Sequence, residues 1–215
     1  FNAAAFYSSA LHLCAFDLEK AYLDLVMALE VISESLAPAY KEEDLFSHDS
    51  QLVALLAAMH AQGLENHMAY IKKRLFQMKR KVVLAARRLL TTEFFVRREA
   101  SEAQYSLKQE LLESYISTAY DMRSKYVHQG AQIYPYIIGL TQYKAEINIG
   151  SKSNVDQKSY LKCPTFLGLE RLVRFMLLRL IAEEVGFNHT DLEGTEIPGK
   201  ESAPSDAHPP GPPSQ

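Results

Sequence analysis

The stretch "LENHMAYIKKRLFQMKRKVVLAARRLL", residues 64–90, indicates what kind of fold this chain adopts. Its apolar residues recur at alternating steps of four and three, which is the spacing of one face of an α-helix. They are Leu64, Met68, Ile71, Leu75, Met78, Val82, Ala85 and Leu89. This heptad-like stripe predicts a single helix that runs for roughly 40 Å.

The same periodicity appears on both sides of this stretch. The predicted helices cover residues 17–36, 51–62, 64–90, 102–128 and 164–186. Asp17 is a candidate N-cap for the first of them and Pro38 ends it, while Asp49 or Ser50 could cap the second, which Gly63 ends. Pro164 occupies the favoured first position of the last helix. We therefore predict an all-α fold, a helical bundle of about five helices.

Three parts of the chain fall outside these helices. Residues 129–163 are punctuated by glycines and are predicted to form an irregular insertion, in which "YPYIIGL" and "YKAEINI" could form a short strand or hairpin. Residues 187–215 hold six of the nine prolines and predict a flexible tail. Residues 1–16 are interpreted as an N-terminal extension, a helix continuing from a missing N-terminal region, which leaves 17–186 as the main helical domain.

Composition restricts the function only broadly. The net charge is −3 with 47% apolar residues, so any affinity for nucleic acid must depend on a local patch. The two cysteines, Cys14 and Cys163, match no metal-ligand spacing and fit a reducing compartment, which predicts a cytoplasmic protein. The sequence has no zinc ligand cluster and no phosphate-binding glycine loop, so neither a metal nor a cofactor is predicted. No apolar run approaches the roughly 18–20 residues that a membrane span needs.

The segment "YDMRSKYVHQG", residues 120–130, is the main candidate for a functional site. Arg123 takes a position where the apolar stripe predicts Leu or Ile, and a buried guanidinium needs a carboxylate, helix carbonyls or a bound anion. We expect Glu30 to come within its range. His128 lies about 140° further around the helix, so both groups reach one ligand only if the helix ends or bends near Gly130. The alternative is that both merely satisfy free carbonyls at a helix end.

A second candidate is a basic stretch. Between Asn66 and Thr92 there is no acidic residue, which could allow the stretch to follow a phosphate backbone. Its basic residues are Lys72, Lys73, Arg74, Lys79, Arg80, Lys81, Arg87 and Arg88. The predicted RNA-binding residues are Lys79, Arg80, Arg87 and Arg88, together with Lys125 and Tyr126 of the motif. The alternative is a solvated helix face paired with acids elsewhere, such as Glu42, Glu43 and Asp44.

The motif resembles the signature of the HEPN superfamily, and more narrowly its Apea-like group. The residues that match are Tyr120, Arg123, Ser124 and His128, with Gln129 where a glycine is frequent and Gly130 one step later. Residues 23–32 resemble the early family helix with its Ala–Leu–Glu, and residues 166–181 resemble the closing helix. The resemblance spans residues 17–186 and implies a HEPN-like bundle.

The resemblance also implies a function. Many HEPN proteins are metal-independent endoribonucleases of bacterial defence, abortive-infection or toxin–antitoxin systems, and they act as homodimers with an antitoxin or sensor partner. In that reading Arg123, His128, Ser124 and Glu30 form the catalytic set. Ser124 stands where many nucleases have Asn or Asp, which favours an alternative, a non-catalytic module that binds a nucleotide, an RNA or a partner protein. A third hypothesis is a structural scaffold, based on the stripe of residues 64–90.

Overall fold

A computed structural model describes residues 2–36, 50–75 and 78–186 of the chain. Within these ranges the regular structure is helical and no strand is formed, which confirms the all-α prediction. The helices are α1 (Asn2–Leu13), α2 (Leu18–Leu36), α3 (Ser50–Ala61), α4 (Glu65–Leu75), α5 (Met78–Leu89), α6 (Thr92–Val96), α7 (Leu112–Gln129), α8 (Tyr134–Ile137), α9 (Gln157–Lys162) and α10 (Phe166–Val185). The chain divides after Ile181, and the fold below is that of the first unit.

Helix α2 is the centre of the bundle. It packs against α1, α5, α7 and α8, and its buried residues recur along one broad face. They are Ala21, Tyr22, Leu25, Val26, Ala28, Leu29, Ile32, Ser33 and Leu36. The predicted cap is confirmed, because the backbone N–H of Lys20 donates a hydrogen bond of 3.0 Å to Oδ1 of Asp17.

The stripe of residues 64–90 is carried by α4 and α5. Val82, Ala85 and Leu89 are buried as the stripe predicts. Residues 76–77, in the middle of the predicted single helix, lie outside the described residues. The predicted cap Asp49, the predicted stop Pro38, the acids Glu42, Glu43 and Asp44, and the predicted flexible tail also lie outside them.

Helix α7 is shorter than the sequence predicts. It begins at Leu112 rather than near residue 102, after single 3₁₀ turns at Ala103–Tyr105 and Gln109–Leu111. The prediction was wrong because the insertion uses this backbone for its own hydrogen bonds. The N–H groups of Glu146 and Ile147 both donate to the carbonyl of Tyr105, at 2.9 and 3.2 Å. At its other end α7 stops as predicted, with Gly130 in the left-handed conformation at φ +62°.

The insertion is ordered but forms no hairpin, so that prediction is corrected. Residues 134–143 form α8 and a 3₁₀ turn, and the only β-type pairing among the described residues is one isolated bridge between Ile147 and Pro164. The segment pairs with distant parts of the chain instead of with its neighbour. Helix α10 begins at Phe166 rather than at Pro164, because the Thr165 hydroxyl accepts the N–H of Gly168 at 3.1 Å and so caps the helix.

Candidate functional site

Arg123 lies in the middle of α7, where α7 packs against α2. Its Nε is 3.5 Å from Oε1 of Glu30, and one of its terminal nitrogens donates to the sulfur of Met27 at 3.4 Å. The side chains of Arg123 and Glu30 are 24% and 12% exposed, so the pair is largely but not fully removed from water. The expectation that Glu30 comes into range of Arg123 is confirmed.

This pairing leaves most of the hydrogen-bonding capacity of Arg123 unused. A guanidinium carries five N–H donors, and strong bonds to carboxylates are about 2.7–2.9 Å long. Within residues 2–36, 50–75 and 78–186, the polar contacts of Arg123 are the longer approach to Glu30 and the weak sulfur acceptor of Met27. Oε1 of Glu30 is buried without a hydrogen bond. The pair therefore offers free donors to an anion that reaches the exposed part of the guanidinium.

Tyr120 completes this cluster one turn earlier on α7. The Arg123 guanidinium lies 5.7 Å from the centre of the Tyr120 ring. Burial raises the pKa of Tyr120 to about 12, the nearby Glu30 carboxylate adds to the rise, and Arg123 opposes it. The phenol therefore stays protonated at neutral pH and can act as a hydrogen-bond donor there.

His128 is on a different side of the same helix. Helix α7 continues without interruption to Gln129, so five positions separate His128 from Arg123 by about 140° of rotation. The His128 side chain is exposed, and Ser124 is partly exposed. In one chain the imidazole and the guanidinium therefore do not face the same way.

The described basic side chains of α5 are tied to neighbouring helices. Ion pairs join Lys79 to Asp121 and Arg87 to Glu113 of α7, and Lys81 to Glu34 of α2. Each pair has a nitrogen–oxygen distance of 2.8 or 2.9 Å. Arg80 and Arg88 also have interaction partners. The three ion pairs agree with the alternative interpretation, in which the charges are paired with acids of other helices.

The last two predicted RNA-binding residues, Lys125 and Tyr126, are partly buried. The Tyr126 ring packs against the main core. The pKa of the Asp156 carboxyl is lowered, first by a hydrogen bond from Ser159 and in a smaller part by the charge of Lys125. Lys125 thus interacts with the insertion, whereas Tyr126 belongs to the packing of the core.

Sequence reasoning missed an arginine, Arg171 on α10, which forms a buried pair with Glu146 of the insertion. One guanidinium nitrogen of Arg171 lies 3.0 Å from both carboxylate oxygens of Glu146, and the two residues are 5% and 1% exposed. The carboxylate also accepts backbone N–H groups from Glu99 and Leu107, at 3.1 and 2.8 Å. An arginine on the apolar face of a helix was the available signal, as it was for Arg123.

The second terminal nitrogen of Arg171 is satisfied by backbone carbonyls, and an aromatic ring lies against the guanidinium, whose Nε is 3.9 Å from Oε1 of Glu99. Its second terminal nitrogen donates to the carbonyls of Phe94 and Arg97, the latter at 2.6 Å, and the guanidinium lies 4.0 Å from the centre of the Phe94 ring. A cleft of about 390 Å³ opens beside the pair, lined also by Glu99, Lys144, Leu167 and Glu170. Because both of its terminal nitrogens are occupied, Arg171 acts as a structural connector.

None of the described helices combines the length and the apolar character needed to cross a bilayer. No protein-family model, no curated protein and no solved structure matches this chain.

Proposed function

We propose that this protein is a HEPN-like RNA-binding protein that cleaves RNA without a metal ion, as a homodimer in a bacterial defence or toxin–antitoxin system. The observation that supports the proposal most directly is the state of Arg123. Its guanidinium is partly exposed, is held near Glu30 at 3.5 Å, and retains unused donors. A phosphate group is the ligand that a planar, permanently charged fork of this kind binds best.

The proposed chemistry uses two residue types of the motif. Arg123 would bind the scissile phosphate and stabilise the charge that develops on it. One histidine would take the proton from the ribose 2′-hydroxyl, whose oxygen then attacks phosphorus. A second histidine would protonate the leaving 5′-oxygen as its bond to phosphorus breaks, which leaves a 2′,3′-cyclic phosphate. His128 of each of two chains would supply the two imidazoles, which fits the separation of His128 from Arg123 within one helix.

The test is cleavage of labelled RNA in the presence of EDTA. We expect products with 2′,3′-cyclic phosphate ends, and a rate that falls by about 10²–10⁴ in His128→Ala. His60→Ala is the matched control, because His60 is also an exposed histidine near a helix end, 3.6 Å from Glu65. Equal rates for the wild type and His128→Ala, with the fold intact by circular dichroism, would rule out His128 as a catalytic residue.

A second candidate function is RNA or nucleotide binding without cleavage. Ser124 and the position of His128 away from Arg123 favour it, because binding needs only the guanidinium. In that case the same RNA would bind without being cut, and Arg123→Ala would weaken the binding while His128→Ala would leave it unchanged.

A further inference from the structure

The position of Glu30 raises a question about how an anion reaches Arg123. The carboxylate is the only acidic group within 4.0 Å of this guanidinium among the described residues. Yet the contact is long, and Oε1 of Glu30 accepts no hydrogen bond. A carboxylate that only served to hold an arginine would be expected at a bidentate distance of about 2.7–2.9 Å.

A phosphate that binds the exposed part of Arg123 would come close to this carboxylate. Two like charges in a partly buried position repel each other strongly, because water screens them poorly there. Glu30 lies on α2 and is only 12% exposed, so it has little room to turn into water. Its charge therefore acts against any anion at Arg123.

We propose that Glu30 is a built-in competitor that lowers the affinity of the Arg123 site for RNA phosphate, an inference that rests on the proposed function. The carboxylate of Glu30 and the phosphate share one guanidinium. The phosphate binds donors of Arg123 that no described residue accepts, and the negative charge of Glu30 repels it there. In the absence of RNA, Glu30 balances the buried charge of Arg123 and keeps the site weak. Glu30 is thus a residue that sets affinity, and it takes no part in proton transfer.

The test compares two substitutions on the same helix that remove the same charge. Glu30→Gln removes the carboxylate beside Arg123, whereas Glu34→Gln removes one a single turn away that pairs with Lys81 at 2.8 Å. Binding of a short fluorescein-labelled oligouridylate is measured by anisotropy in EDTA. We expect Glu30→Gln to bind about tenfold more tightly than the wild type, and Glu34→Gln to change affinity much less.

Two further variants show whether the gain acts through Arg123. The variants are Arg123→Ala combined with Glu30→Gln and Arg123→Ala combined with Glu34→Gln. We expect both to raise the affinity for RNA equally over Arg123→Ala alone, because the guanidinium that Glu30 would share with the phosphate is absent. Equal affinities for Glu30→Gln and Glu34→Gln would overturn the inference. The proposed function would still stand if Arg123→Ala weakened binding, and it would fail, together with the inference, if Arg123→Ala bound RNA as the wild type does.

A measurement on the unmodified protein tests the premise on which the inference depends, contact between RNA and Arg123, even if Glu30→Gln does not fold. In ¹⁵N-arginine-labelled protein, the Nε–H resonance of Arg123, assigned by its loss in Arg123→Lys, should shift on addition of the oligouridylate. The resonance of Arg171 should not move. RNA binding without any change at Arg123 would overturn the inference.

Discussion

Arg171 and Arg123 both lie on the inward face of a long helix and both pair with a glutamate, but their surroundings differ. Arg171 has two contacts of 3.0 Å to Glu146 and further bonds to the carbonyls of Phe94 and Arg97. Arg123 has one approach of 3.5 Å to Glu30 and a sulfur contact. The role of a buried arginine is therefore better judged by how many of its N–H donors are occupied than by its position in a motif.

The cause of the difference is the kind of backbone around each arginine. Arg171 faces the end of α6, the turn after it and the irregular insertion. Backbone carbonyl and N–H groups in these segments are available to bond the Arg171–Glu146 pair, because regular helical hydrogen bonds do not occupy them. Arg123 lies between two regular helices, α2 and α7, where the backbone groups bond to one another along the helix. In the part of the chain that the structure describes, Arg123 has polar contacts with side chains only, and Glu30 and Met27 satisfy it incompletely.

The largest expected effect concerns stability at the Arg171 pair. Arg171→Met leaves the carboxylate of Glu146, 1% exposed, without its counter-charge, and we expect it to lower the free energy of unfolding by about 3–5 kcal/mol. Arg123→Met is the comparison variant and should cost less, about 1–3 kcal/mol, because the Glu30 carboxylate that it leaves unpaired is 12% exposed and lies at the longer distance of 3.5 Å from the guanidinium. Urea denaturation followed by circular dichroism measures both. Equal losses in the two variants would contradict the distinction drawn between the two arginines.

A smaller effect is expected where the insertion meets α10. A Cβ at Gly168 would lie 2.1 Å from the carbonyl oxygen of Glu146, so Gly168→Ala should lower stability by about 2 kcal/mol. In an open helix position the same change would stabilise by about 0.5–1 kcal/mol. The sign of the shift in melting temperature therefore reports whether the insertion is docked on α10. An increase would show that this contact is absent in solution.

The smallest expected effect is an alkaline one at the Arg123 cluster. Because the pKa of Tyr120 is raised to about 12 in the folded protein, its protonated phenol stabilises the fold below about pH 10. This contribution is lost as the pH rises from about 10 through 12, since the unfolded chain ionises first. Tyr120→Phe should therefore lose less stability than the wild type over this window, as measured by urea denaturation at stepped pH. If the free energies of unfolding of the two proteins changed in parallel with pH, the Tyr120 phenol would be in water and away from Glu30.

Periodicity and local chemistry predicted several features correctly. The helices α2 and α3, the Asp17 cap and the Gly130 stop follow from short-range rules. The Glu30–Arg123 contact also followed, because an arginine on an apolar stripe needs a partner and α2 offered a carboxylate. The start of α7, the form of the insertion and the Glu146–Arg171 pair did not follow, because each depends on hydrogen bonds between segments far apart in the chain.

The amino-acid pattern alone indicates that this protein is helical, which faces of its main helices are apolar, and that Arg123 and His128 lie five positions apart on different sides of one helix. These properties depend on residues within a few turns of one another. The folded chain was needed to see that both terminal nitrogens of Arg171 are occupied, whereas Arg123 keeps donors that no described residue accepts. This is because the hydrogen-bond partners of a buried charge come from whichever backbone the fold brings beside it.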